Sequence, residues 1–236
     1  MLTRFKNEAK KLRGILYHRL YTSKRSEKKL VEDFNKHYYD SNIFEGTWRN
    51  TYWLKVPTFK CPLDLWIYQE IIVDMKPDWI IETGTARGGS ALYLASVCDL
   101  VGHGQVVSVD IEHKEGRPTH PRLRYFLGSS ISEEILAKLH ALIPVGSKVL
   151  VILDSDHSQK HVMEELKAYS GWVPKGGYLI VEDTIVNGHP VAPEHGPGPM
   201  EAVDEFLSKR KDFVIDASKE KLLVTFNPRG YLKRVE

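Results

Sequence analysis

From residue 78 onward the chain alternates two textures. Short apolar runs stop on a glycine or an acid, and longer stretches between them carry helical spacing. The runs are "DWIIETG", "GQVVSVDIE", "LRYFLGS", "KVLVILDSD" and "PKGGYLIVEDT"; "GGSALYLASVCDL", "SEEILAKLHALI" and "QKHVMEELKAYSGWV" separate most of them. Strands this short and continuously apolar, divided by helices, predict a mostly parallel sheet covered on both faces. The end of the chain differs. "MEAVDEFLSKRKDFVIDASKEKLLVTF" reads as one helix and then two strands joined by "SKEK", an antiparallel hairpin at the sheet edge. The expected fold class is therefore α/β: a Rossmann-like, doubly wound, seven-stranded sheet with an antiparallel edge hairpin.

Ahead of this region, residues 1–36 hold eleven Lys/Arg against four acids, a surplus of +7 in a chain whose net charge is only +2. The remaining 200 residues therefore carry −5. Residues 1–45 are read as a basic helical N-terminal extension and residues 46–236 as the main domain. A basic amphipathic helix can attract an anionic membrane surface or pack on a neighbouring subunit. Peripheral membrane contact and a homo-oligomer are thus the partner expectations, and no nucleic-acid module signature is present. No apolar run reaches the roughly 18 to 20 residues of a bilayer span, and no secretory signal is evident. Cys61 and Cys98 sit in apolar surroundings as reduced thiols, so the expected location is cytoplasmic. Between extension and sheet, Trp48, Tyr52 and Trp53 lie on an aromatic arm that could cover a pocket.

Ligands in such sheets bind beyond the carboxyl ends of the strands, so the residues just past each run are the informative ones. "IIETGTARGGSALYLA" is a strand, a tight turn with Gly84, Gly88 and Gly89, and a helix whose early Ser90 offers a hydroxyl. It matches neither G-x-x-x-x-G-K-[ST] nor G-x-G-x-x-G. Asp110 ends the next strand 26 residues after Gly84, a position suited to accept hydrogen bonds from ribose hydroxyls. NAD and S-adenosylmethionine both carry such a ribose. Asp154 ends the fourth run, and Glu182 and Asp183 end the fifth. On neighbouring strands these three carboxylates repel unless protonated or neutralised, and all-oxygen ligation suits Mg²⁺. His157 and His161, four apart, could form a zinc pair, but the glutamate of H-E-x-x-H is missing. His157 reads better as a base beside the metal.

With these pieces in place the chain resembles a class I S-adenosylmethionine-dependent methyltransferase, and specifically the family that joins rhamnosyl O-methyltransferases with cephalosporin hydroxylases. The likeness runs from about Tyr52 to Thr225 and rests on "KCPLDLWIYQEII", "ETGTARGGSALYLA", "VVSVDI", "LDSDH", "YLIVEDT" and "EHGPGPMEAVDEFL". The metal-dependent catechol O-methyltransferases are similar in their glycine loop, E-x-G-x-x-x-G-x-S. They are also similar in an Asp followed 28 and 29 positions later by two further ligands, a spacing that Asp154, Glu182 and Asp183 reproduce. Their base, a lysine, stands where this chain has His157.

The resemblance implies a metal-dependent O-methyltransferase acting on a hydroxyl of a sugar or glycosylated natural product. Asp110 and Ile111 would hold the cofactor ribose. Gly84 with Ser90 would cradle its methionine end, Glu82, Thr85 and Gly88 would also bind the cofactor, Ser129 or Ser130 would lie near the adenine, and Asp154 would serve both cofactor and metal. Trp53, His189, Glu194 and His195 would meet substrate, the last three from a mobile cover over residues 186–203. The rival readings are a hydroxylase of the cephalosporin hydroxylase type and a NAD-linked Rossmann enzyme.

Overall fold

The computed structural model describes residues 2–21 and 24–236. Two helices open the chain, α1 (Leu2–Tyr21) and α2 (Lys24–Tyr39). Leu12, Ile15 and Leu16 on α1 are all more than half exposed. The end of α2 is instead drawn onto the body, where the Tyr39 ring meets Phe226 edge-on at 5.3 Å. The aromatic arm contains a 3₁₀ turn at Thr47–Asn50 and a small antiparallel ribbon, β1 (Tyr52–Trp53) against β2 (Val56–Pro57). Among the described residues no helix is long and apolar enough to cross a membrane.

Seven strands form the main sheet. In spatial order they are β5 (Leu123–Leu127), β4 (Gln105–Asp110), β3 (Trp79–Thr83), β6 (Val149–Leu153), β7 (Tyr178–Val181), β9 (Tyr231–Arg234) and β8 (Phe213–Ile215). β5 through β7 run parallel, and β9 pairs antiparallel with both β7 and β8. Because side chains alternate along a strand, each strand feeds two cores. Ile80, Leu150, Ile152 and Ile180 are buried against α3 (Pro62–Met75) and α4 (Gly89–Val101). Ile81, Val149, Val151 and Leu153 are buried against α5 (Glu133–Leu142), α6 (Gln159–Tyr169) and α7 (Pro199–Lys209). Each such side chain contributes about 1.5–3 kcal/mol on leaving water, which fixes the register and with it the residues that emerge past the strand ends.

The chain winds outward from β3 in one direction to β5 and then returns to β6 on the other side, so the switch point lies between β3 and β6. Thr83 is level with Leu153 there. The next residues, Gly84 and Asp154, are therefore forced together: a Cβ on Gly84 would stand 1.8 Å from the Asp154 carbonyl oxygen, and φ at Gly84 is +83°. Only glycine satisfies both constraints.

The C-terminal hairpin corrects the sequence expectation. "LLVTF" does not pair with β8; Tyr231–Arg234 does, with Val214 opposite Lys233. The reason is a competing demand on residues 225–231. Asp64, buried in the first turn of α3, accepts hydrogen bonds from Thr225 Oγ1 (2.5 Å), Phe226 N (2.8 Å) and Tyr231 Oη (2.8 Å). Burial pushes its carboxyl up to about 7 against the pull of those three donors. Leu223, at φ +68°, turns the chain out of an extended path just before. This segment thus becomes a wall at the strand ends and not an edge strand. Asp64→Ala orphans three buried donors and should cost about 2–4 kcal/mol of stability; urea denaturation of the variant against the parent chain measures it.

Candidate active site

The glycine loop between β3 and α4 is tied from below by Asp110. One carboxylate oxygen accepts from Thr85 N (3.1 Å), Ala86 N (2.9 Å) and Arg117 Nη2 (2.8 Å), and the other from Glu112 N (2.8 Å). Above this floor lies a cleft of about 640 Å³ whose lining includes Gly84, Asp110, Ile111, Ser129, Ser130 and Asp154. Six of the residues expected to hold a cofactor therefore share one cavity. The other four do not line it. Gly88 is the N-cap of α4. Thr85 Oγ1 lies 2.6 Å from Ser108 Oγ, which donates to Glu82 Oε2 at 2.6 Å. Ser90, also buried, helps to offset the burial penalty on Glu82. These groups form a polar layer beneath the loop, in which Glu82 Oε1 has no hydrogen-bond partner among the described residues.

The acids at the strand ends meet a cation that the sequence reading passed over. Lys60, 3% exposed, places its ammonium 2.5 Å from both Asp154 Oδ2 and Glu182 Oε1. Burial alone would strip its proton, but Asp154, Glu182 and Glu82 together hold it firmly charged. Burial likewise raises the carboxyls of Asp154 and Glu182, with Lys60 opposing the shift. The lone charge in the apolar "TFKCPL" ahead of a helix was the available signal, because an unpaired lysine there would be costly.

Asp183 sits just past β7 at φ +53°, a conformation that non-glycine residues seldom adopt. Asn227, fully buried, holds it: Asn227 Oδ1 accepts from Asp183 N (3.0 Å), while its amide donates to Tyr68 Oη (2.8 Å). His157 Nε2 lies 3.3 Å from Asp183 Oδ2. Burial disfavours a proton on His157, but Asp183 and Asp154 outweigh it and raise its pKa above the ordinary imidazole value. Ligand atoms from Asp154, His157 and Asp183 all fall within 4.8 Å of one another. The three acids read from the sequence thus reach the same sheet end, but only Asp154 and Asp183 join His157 in the ligand-distance group, while Glu182 is engaged by Lys60. His161 is engaged elsewhere, 3.2 Å from Ser130 Oγ and 3.5 Å from Glu165.

The residues expected to meet substrate are dispersed. Trp53 faces α4, where its indole donates to Ser96 Oγ (3.1 Å) and its ring meets Tyr93 edge-on at 4.9 Å, so it anchors the arm. His189 Nε2 lies 2.8 Å from Glu201, which also accepts from Asn187 Nδ2 and Gly198 N. These bonds overcome the burial penalty and hold the Glu201 carboxyl down at about 2. They fasten the cover loop to the start of α7. His195 Nδ1 contacts its neighbour's carbonyl, Gly196 O, at 3.1 Å. Burial and the charge of Glu194 raise the Asp40 carboxyl, so the arm and the cover face each other.

The family described as Rhamnosyl O-methyltransferase/CmcI matches residues 45–235. The rhamnosyl O-methyltransferase of Mycobacterium leprae (strain TN) is 36% identical over 211 residues, covering 87% of this chain and 90% of that protein. The protein of the same name from Mycobacterium tuberculosis (strain ATCC 25618 / H37Rv) is 36% identical over 212 residues, covering 87% and 85%. Among solved structures, CmcI with Mg and SAM superposes with a TM-score of 0.61 at 21% identity, covering 80% of this chain and 78% of that one. An O-methyltransferase from Bacillus cereus in complex with SAH gives 0.50 at 13% identity, covering 84% and 85%. At those identities the two structures establish the fold, which is that of methyltransferases. The chain belongs to the rhamnosyl O-methyltransferase/CmcI family and is an O-methyltransferase.

Proposed function

We propose that the enzyme moves a methyl group from S-adenosylmethionine to a hydroxyl of a sugar or glycosylated small molecule, with Mg²⁺ held at the strand ends by Asp154, Glu182 and Asp183. The observation that carries the reading is the charge at that end of the sheet. Three carboxylates, Glu82, Asp154 and Glu182, face one buried ammonium, Lys60, and a fourth, Asp183, lies beside Asp154 and Glu182. Such a set is strongly anionic, and hard oxygen donors suit a hard divalent cation. The cofactor reading is supported by the cleft over Asp110 and by a loop whose backbone only Gly84 can bring so near Asp154. The relatives named rhamnosyl O-methyltransferase support a sugar hydroxyl as acceptor. When bound, S-adenosylmethionine supplies an electrophilic methyl group and the cation makes an acceptor hydroxyl more acidic.

The chain's own residues supply the remainder. His157 takes the hydroxyl proton, and Asp183, 3.3 Å from Nε2, stabilises the imidazolium that results. Asn227 fixes the backbone of Asp183 and so the direction from which that stabilisation acts. Asp110 holds the loop that orients the methyl donor through two of its backbone amides, Thr85 and Ala86, and through Arg117, which also donates to the Ala86 carbonyl. Hydroxylation by iron would call for two histidines and one carboxylate. Here the convergent group is one histidine and two carboxylates, and His161 belongs to the Ser130–Glu165 contact.

Two outcomes test these roles. His157→Ala should lower turnover at neutral pH by about 10²–10⁴-fold while the binding of S-adenosylmethionine, followed by calorimetry, stays within threefold; unchanged turnover would remove His157 as the base. Lys60→Met withdraws a positive charge that competes for Asp154 and Glu182. It should tighten Mn²⁺ binding, read by electron paramagnetic resonance, by about tenfold or more. Weaker Mn²⁺ binding in a variant that melts cooperatively would mean that Lys60 holds the carboxylates in position and does not compete with the ion.

A further inference from the structure

A second cleft, of about 470 Å³, opens beside the first, between the β1–β2 ribbon, the glycine loop and the loop that follows β4. Its lining includes Arg49, Lys55, Arg87, Tyr52, Phe59 and Glu115, three cations and two aromatic rings against one acid. None of the three cations is ion-paired with a described residue. The contact of Arg49 is with the Trp48 ring, its guanidinium 4.8 Å from the centroid. The neighbouring Arg117 shows what a committed arginine looks like here: it donates to both Asp110 and the Ala86 carbonyl.

The backbone that delivers these side chains is strained. Leu54 and Lys55 turn the ribbon at φ +49° and +71°, Phe59 stands at +56°, and Ala86, which immediately precedes Arg87, at +45°. Positive φ at both Leu54 and Lys55 is what the two-residue turn between β1 and β2 requires, whereas Phe59 and Ala86 are non-glycine residues held in the left-handed region outside any such turn. The two clefts share walls. Ala86 lines the first and Arg87 the second, and the loop after β4 gives Lys114 to one and Gly116 to the other. Phe59 directly precedes Lys60, which touches Asp154 and Glu182. The polarity of the clefts is opposite: Asp110, Glu112, Asp154 and Asp156 all line the first. An anionic group is repelled there and attracted one wall away.

We infer that the acceptor carries an oxyanion, a phosphate or a carboxylate, that docks in this second cleft on Arg49, Lys55 and Arg87. The inference rests on the reading of the neighbouring cleft as the O-methyl-transfer centre and narrows its substrate to an anionic sugar. The three cations position the acceptor and take no part in proton transfer.

Binding of probe sugars to the full chain by calorimetry tests this without requiring turnover or metal, so it stands apart from any failure of the methyl-transfer reading. The probes are glucose 1-phosphate, glucuronate and neutral glucose. At least one anionic sugar should bind about tenfold or more tighter than glucose, and the advantage should shrink as salt is raised. Whichever of the two wins identifies phosphate or carboxylate. The double variant Lys55→Ala with Arg87→Ala should lose that advantage while its melting temperature and its affinity for S-adenosylmethionine stay unchanged. Equal binding of charged and neutral sugars, or no measurable binding at millimolar concentration, would overturn the inference. So would a loss in the variant that falls on S-adenosylmethionine, since the cleft would then serve the carboxylate of the methyl donor.

Discussion

Lys60 lies between Asp154 and Glu182 at a sheet end where two more carboxylates, Glu82 and Asp183, are close by. Parallel strands at a switch point deliver acids there because each strand stops where its apolar run stops, and the next polar residue has nowhere else to go. Four carboxylates in one place repel one another, and burial pushes protons back onto Glu82, Asp154 and Glu182. One ammonium lowers that cost without removing it. The residual negative charge is the property from which a hard cation, an acidified hydroxyl and a stabilised imidazolium at His157 would all follow.

The same ammonium explains why the arm is where it is. Lys60 reaches the acids only if "TFKCP" crosses the sheet end, and the arm is pinned on both sides of that crossing. Trp53 is fastened to α4 before it, and Asp64 is fastened to residues 225–231 after it. Gly89 lies so close beneath the arm that a Cβ there would stand 2.3 Å from the Pro57 carbonyl oxygen. The glycine loop, the arm and the C-terminal wall therefore form one unit around the acids, and their separate places along the chain conceal this.

Much of that unit was legible in the sequence. The five runs and their terminal residues predicted the strands, and Gly84, Asp110, Asp154, Glu182 and Asp183 all emerge at the sheet end where alternation of strand and helix put them. The parts that escaped are those fixed by long-range contacts. "LLVTF" has the texture of a strand, yet Asp64, more than 150 residues away, recruits Thr225 and Phe226 and leaves the edge to Tyr231–Arg234. Lys60 and Asn227 carry no local periodicity, and their roles exist only once Asp154, Glu182 and Asp183 are in place. Trp53 donates its indole N–H to Ser96, 43 residues away, a partner that the aromatic texture of the arm does not reveal.

The most direct test of metal-assisted methyl transfer at this sheet end is incorporation of labelled methyl from S-adenosylmethionine into a glycosylated acceptor, before and after exhaustive chelation and again after Mg²⁺ is restored. The predicted result is a fall of about 10²-fold or more on chelation and full recovery with Mg²⁺. Turnover that survives chelation undiminished, or that recovers only with iron and oxygen, would contradict it.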